Sequence, residues 1–275
     1  MKNFGSANEI INKAFEFHAK GNILEAAKYY QFFIDKGFKD YRVFTNYGVI
    51  LRSLGKLKDA ELLCRKAIKL NPDLAEAHAN LGNILKDLGK LKDAELSIRK
   101  SIELNPYLAE AHSNLGNILK DLGKVKDAEL STRKAIQLNP KYSVAHFNLG
   151  NILKDLGKVK DAKSFYNKAI ELNPKYANAY SNLGNILQDL GNSQDAELLY
   201  RKAIELNPYL AEAHSNLGNL LRELGKLKDA ELFIRKAIEV NPYLADAHSS
   251  LGNILKDLGR FKEAENSYHK AIEVN

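Results

Sequence analysis

The chain of 275 residues has no tryptophan, one methionine, one cysteine and six prolines. The lone cysteine, Cys64, excludes an internal disulfide framework and suits a reducing compartment, so a cytoplasmic location is expected. No apolar run approaches the roughly 20 residues of a membrane span. The opening "MKNFGSANEI" holds no apolar signal core, so no membrane or export role is expected. Charged residues make up 27% and the hydrophobic set 45%, which excludes a disordered polar tail. A net charge of +7 raises the question of nucleic acid, which the distribution of charge must answer.

The few prolines that are present fix the organisation. Pro72, Pro106, Pro140, Pro174, Pro208 and Pro242 are spaced by 34 residues throughout. A constant period of this length marks a solenoid of stacked units. With proline at position 32, the units are 7–40, 41–74, 75–108, 109–142, 143–176, 177–210, 211–244 and 245–275, after a lead-in of 1–6. The first unit diverges, with Phe38 at the proline position.

Each unit reads as two helices. In 75–108, Ala77, Leu81, Ile84, Leu85 and Leu88 form one apolar stripe at helical spacing. Gly89 ends that helix, and glycine holds this place in all eight units. A second stripe follows in Leu91, Ala94, Ile98, Ser101 and Ile102, of which Ser101 is the polar member. Asn105-Pro106 stops it, because proline lacks the amide donor and restricts its predecessor. Gly82 and Ala94 are small where helices must approach closely.

A 34-residue unit with Leu81-Gly82, Ala94, Ile98, Ser101 and Pro106 at these spacings resembles the tetratricopeptide repeat, over residues 7–275. The histidines His78, His112, His146, His214 and His248 stand where that family often has tryptophan. Together with the "NLGN" string they make the units similar to the arrays of O-linked N-acetylglucosamine transferases. The resemblance implies an all-α fold, a right-handed α-α superhelix whose first helices line a concave wall. One unit cannot bury its apolar faces alone, so neighbours must stack.

Positions 2, 6, 9 and 13 of the first helix share a stripe away from its apolar face. In 109–142 they are Glu110, Asn114, Asn117 and Asp121. Position 6 is asparagine in seven units, including Asn80, Asn114, Asn148, Asn182 and Asn216. Position 9 is asparagine in six, including Asn83, Asn117, Asn151, Asn185 and Asn219. Each mid-helix asparagine costs about 0.5–0.7 kcal/mol relative to alanine, so something should offset the whole set. An amide offers two donors and an acceptor, and a ladder of amides can bond a peptide backbone irrespective of its side chains. The transferase resemblance implies that role for position 6. The competing reading is that the amides bond neighbouring helices and hold the repeats in register.

Val144 and Phe147 break the stripe in 143–176, replacing residues equivalent to Glu110 and Ser113. Three apart on one helical face, they read either as an apolar anchor for a partner or as a pair folded against an adjacent helix. The first two units are rich in aromatics, among them Phe15, Tyr30, Phe38, Phe44 and Tyr47, which reads as a self-capping end.

Other chemistries fit less well. The position-4 histidines recur on separate repeats, too far apart to share a zinc ion, and read as core packing. Cys64, equivalent to Ile98, reads as a buried hydrophobe. Polar features repeat along the chain instead of forming one unique constellation, so neither catalysis nor a cofactor is expected. The excess positive charge sits in 41–74 and 109–176. The stripe itself carries Glu and Asp without recurring aromatics, so nucleic acid is not the expected partner. Glu76 and Glu110 would repel the terminal carboxylate that some tetratricopeptide clamps grip. The expected function is a non-enzymatic scaffold binding a protein or extended peptide. The alternative is the substrate-recognition arm of a glycosyltransferase or other enzyme whose catalytic part is elsewhere. Without a polar capping helix before Asn275, self-association through the last helix is a further expectation.

Overall fold

The computed structural model describes residues 6–274. Most of the lead-in (1–5) and Asn275, the final position of the eighth unit, lie outside the described residues. The described residues form sixteen α-helices in consecutive pairs and no strand.

The chain divides into two compact units that meet in sequence between Pro140 and Lys141. The first holds α1 (Ala7–Ala19), α2 (Ile23–Asp35), α3 (Tyr41–Ser53), α4 (Leu57–Leu70), α5 (Ala75–Asp87), α6 (Leu91–Leu104), α7 (Ala109–Asp121) and α8 (Val125–Leu138). The second holds α9 (Ser143–Asp155), α10 (Val159–Leu172), α11 (Ala177–Asp189), α12 (Ser193–Leu206), α13 (Ala211–Glu223), α14 (Leu227–Val240), α15 (Ala245–Asp257) and α16 (Phe261–Val274). The helix breaks fall where glycine and proline place them. Gly89 has φ 74° and Gly157 φ 72°, the left-handed conformation that ends a helix without a Cβ penalty.

Within each unit, each first helix packs on its own second helix, and that second helix packs on the next repeat's first helix. Successive first helices also touch directly, α3 with α5 and α5 with α7, α11 with α13 and α13 with α15. No pair of second helices meets to that extent, so each stack bends toward its first helices.

The two predicted stripes make the core. Ala77, Leu81, Ile84 and Leu85 are buried, as are Ala94, Ile98 and Ser101, while Leu88, Leu91 and Ile102 are half-buried. The position-8 glycine gives this core its density. A Cβ on Gly82 would lie 2.5 Å from the Ile98 side chain, and one on Gly150 would lie 2.6 Å from the Tyr166 ring. Glycine here lets the large residue at position 24 cross beneath the first helix. Cys64 occupies that same position 24 below Gly48, fully buried, and burial pushes its thiol up to about 12. It therefore stays protonated and inert.

Repeats are tied together by charge as well as packing. Glu61, Glu95, Glu197 and Glu231 each bind an arginine one turn on (Arg65, Arg99, Arg201, Arg235). Each also binds a base 29 residues on, in the next repeat: Lys90, Lys124, Lys226 and Arg260. On the first helices a second set of bridges spans 35 residues. Arg52 meets Asp87 at 2.6 Å, and Arg222 meets Asp257 at 2.6 Å. Gln188 donates to Glu223 at 2.9 Å in the same way. Many of the chain's basic groups are thus spent on neighbouring carboxylates.

The N-terminal aromatics form a packed cluster. Tyr30 is fully buried, with Phe15 and Tyr47 each 6.0 Å away between ring centres and His18 Nδ1 3.0 Å from its hydroxyl.

Candidate functional site

Positions 2, 6, 9 and 13 fall on one stripe of each first helix, and contacts such as Asn182 with Asn151 and Asp87 with Arg52 bring positions 6, 9 and 13 beside the neighbouring first helix. The structure divides their asparagines into two groups. In the first unit the side-chain amides of Asn80, Asn83, Asn114 and Asn117 make no hydrogen bond with any described residue. Asn80, Asn114 and Asn117 are half-buried and Asn83 is buried. The Asn114 Nδ2 atom is enclosed without a partner, a cost of about 1–3 kcal/mol while it stays so.

In the second unit most of the equivalent amides are tied to the protein itself, Asn219 being the exception. Asn151 Oδ1 accepts the Tyr166 hydroxyl at 2.8 Å and the Asn182 Nδ2 of the next repeat at 2.8 Å. The Tyr200 hydroxyl lies 2.7 Å from Asn185 Oδ1 and 2.8 Å from Gln188 Oε1. Tyr268 donates to Asn253 at 2.9 Å. Asn216 Nδ2 reaches the Ser181 hydroxyl at 3.4 Å. Asn148 is buried and Asn219 half-buried.

Position 24 decides between the two behaviours at position 9. Where it is tyrosine, as in Tyr166, Tyr200 and Tyr268, the hydroxyl passes beneath the position-8 glycine and reaches the asparagine. Where it is Ile98, Thr132 or Ile234, no donor arrives, and Asn83, Asn117 and Asn219 keep their amides unengaged. Thr132 instead turns its hydroxyl to the Ala128 carbonyl at 2.9 Å. Burial pushes the Tyr166 hydroxyl up to about 12, so it remains a donor at physiological pH.

Phe147 is half-buried. Its ring lies 4.8 Å from that of Tyr176 and 5.8 Å from that of Tyr166, centre to centre. Val144, also half-buried, is one turn earlier on the same helix. Phe147 therefore forms the rim of an aromatic cluster whose floor is the fully buried Tyr166.

The position-4 histidines do more than pack. His78 Nε2 lies 2.9 Å from the Pro72 carbonyl, His112 3.0 Å from Pro106, His214 2.9 Å from Pro208 and His248 2.8 Å from Pro242. Tyr180 makes the corresponding contact to Pro174 at 3.3 Å. These side chains clamp the turn between repeats, which the reading as plain core residues missed. The available signal was their constant spacing of six residues from proline. Among the described residues no group of His, Cys, Asp or Glu could hold a metal ion, and no helix is long and apolar enough to cross a membrane.

Stacked helix pairs that present a repeated polar face on their first helices define a solenoid of the helical-repeat class. The chain belongs to the tetratricopeptide repeat family. Family models described as TPR repeat match residues 48–89 and 150–191. Others described as tetratricopeptide repeat match 75–107, 109–142, 132–164, 177–242 and 245–275. Such repeats typically serve protein–protein interaction. A solved structure described as the crystal structure of APC/C hetero-tetramer Cut9-Hcn1 is similar, with a TM-score of 0.79 at 16% identity. The match covers 98% of this chain and 53% of that one, so this chain spans about half its length. At that identity the likeness concerns the fold. No curated protein matches the chain.

Proposed function

We propose that the chain is a non-enzymatic scaffold that binds an extended peptide segment of a protein partner on the first helices of its first unit. Asn80, Asn83, Asn114 and Asn117 would meet the peptide backbone. The observation that carries this reading is the unused hydrogen-bonding capacity of those four amides. They occupy mid-helix positions where asparagine costs stability, and nothing inside the protein offsets that cost. A modest rotation of Asn114 would bring its enclosed amide to a ligand carbonyl. In the second unit Asn151, Asn182, Asn185 and Asn216 act chiefly as ties between and within repeats. There Val144 and Phe147, with Asn219, are the remaining candidates for partner contact.

The test is selection from a random 12-residue peptide library, followed by calorimetry of a selected peptide. An N80A/N114A double variant should weaken binding by about tenfold or more, as the loss of two net hydrogen bonds implies. The N182A/N216A variant should lower stability and leave affinity within about twofold. Unchanged binding by N80A/N114A would sink the amide reading.

The histidine and "NLGN" pattern also supports a second reading, a substrate-recognition arm working with a glycosyltransferase domain. Stable association with such an enzyme, and loss of its protein glycosylation when N80A/N114A is substituted, would support the arm; a chain with no such associate would not. Self-association through α16, on which Ile272 is 76% exposed, is a further proposal. Sedimentation of wild-type and Ile272→Glu chains would distinguish a dimer from a monomer. A cytoplasmic location fits the single inert thiol.

A further inference from the structure

Three positions that hardly vary in later repeats change together at the junction of α2, α3 and α4. Position 32, elsewhere proline, is Phe38. Position 4, histidine or tyrosine from the third unit onward, is Phe44. Position 29, Glu103, Glu171, Glu205, Glu239 and Glu273 in other units, is Lys69.

Each change has a physical consequence. Phe44 cannot make the hydrogen bond to a turn carbonyl that closes the equivalent corners, such as His78 to Pro72. A cavity of about 400 Å³ opens there instead, within the roughly 300–1,000 Å³ of typical ligand sites. Its apolar wall is Ile34, Phe38, Phe44 and Leu70. Phe38 is held in place against Phe33, 5.3 Å away between ring centres.

Three cations rim the cavity: Lys39, Lys66 and Lys69. In other units the position-26 lysine pairs with the position-29 acid, as Lys100 does with Glu103 at 2.6 Å and Lys202 with Glu205 at 2.7 Å. Lys69 removes that acid, and Lys66 sits over the Phe44 ring at 6.0 Å instead. None of the three lysines has an ion pair with a described residue. The acids flanking Lys39 are already engaged, Asp35 by the Gln31 amide at 2.7 Å and Asp40 by Arg42 at 2.7 Å, and Asp73, four residues beyond Lys69, makes no ion pair with it and does not line the cavity.

We propose that this corner is a second docking site, for an acidic peptide segment of a protein partner bearing one large apolar side chain. The apolar residue fills the cavity and flanking carboxylates meet the three lysines. Charge complementarity names the occupant: an uncompensated cationic rim around an aromatic wall is matched by acids around an apolar anchor. Lysine supplies point charges without arginine's planar fork, which suits mobile carboxylates better than one fixed phosphate. The site is separate from the amide stripe, since position 4 lies roughly 160° round α3 from position 6.

The test is fluorescence anisotropy of the full chain with a labelled heptapeptide of acidic residues around one central phenylalanine, in about 50 mM and about 300 mM salt. Binding should weaken with salt. It should fall about tenfold when the central phenylalanine becomes alanine, and by a similar factor in Lys69→Glu and in Phe44→His. Both substitutions install residues that other repeats already carry at those positions, so the fold should tolerate them, and circular dichroism checks this. The N80A/N114A variant should bind the heptapeptide normally, which separates this site from the amide stripe. Absence of binding would overturn the proposal. So would equal affinity for the alanine peptide, equal affinity in both variants, or preference for anionic lipid vesicles over the peptide.

Discussion

Asn151 Oδ1 holds two donors at once, the Tyr166 hydroxyl from its own repeat and the Asn182 amide from the next, each at 2.8 Å. One amide therefore links a first helix to the second helix beneath it and to the first helix beside it. Alanine at position 151 would lose both ties.

The two bonds should differ in worth. Tyr166→Phe keeps the ring under Gly150 and deletes only the hydroxyl, so it should cost about 0.5–1.5 kcal/mol. Asn182→Ala also deletes one bond but recovers about 0.6 kcal/mol of helix propensity, so its net effect should be smaller. Thermal melts of the two variants, with hydrogen exchange of α9 to α11, check the order. A larger loss in Asn182→Ala would mean that its tie to Asn151 is the stronger one.

Ser101 offers the opposite experiment. It is fully buried and its hydroxyl has no partner, while Ala67, Ala135, Ala169, Ala203 and Ala237 fill the same place in other repeats. Ser101→Ala removes an unsatisfied polar group at almost no change in volume. It should raise stability by about 1 kcal/mol, read as a higher melting temperature. A lower one would show that the hydroxyl has a partner in solution.

The inter-repeat carboxylates predict an acid limb. Hydrogen bonding to Lys90 and Arg65 holds Glu61 below the usual carboxylate range, and bonding to Lys124 and Arg99 does the same for Glu95. A carboxylate whose folded pKa is depressed stabilises the fold above its unfolded value of about 4.3, and that contribution disappears as pH falls through the folded value. Replacing Lys90 and Lys124 by glutamine should therefore lower the melting temperature at pH 7. The gap from wild type should close as pH drops below about 4. Each pair is partly exposed, so the loss should stay under about 1 kcal/mol per pair and shrink with added salt. A gap that persisted at pH 2 would point to lost packing of the lysine stems.

Much of the fold was legible in the sequence because its signals are local and periodic. Pro72 to Pro242 mark the unit length, Gly89 and its equivalents end the first helices, and two apolar stripes per unit name the core. The site was less legible. Asn80 and Asn182 occupy the same position in nearly identical strings, yet one amide is unengaged and the other bonded to Asn151. Asn182 finds its acceptor in Asn151, 31 residues earlier, whereas the residue in that place before Asn80 is Val49, which has no side-chain acceptor, and no helical periodicity connects positions so far apart. The histidines were visible as a series, but their bond to the proline carbonyl depends on how tightly the turn between repeats folds back.

What the sequence alone determined is the helix-pair architecture, because backbone breaks and apolar spacing act within one turn or one unit. Tertiary structure decided how each polar side chain is used. A hydrogen bond exists only where packing brings two atoms within about 3 Å. That proximity is set by the residue crossing under the position-8 glycine and by the angle at which the next repeat docks. Those two things separate the unengaged amides, such as Asn83, Asn117 and Asn219, from the tied ones, such as Asn151 and Asn185. They also turn three substitutions around Phe44 into a cavity rimmed by lysines.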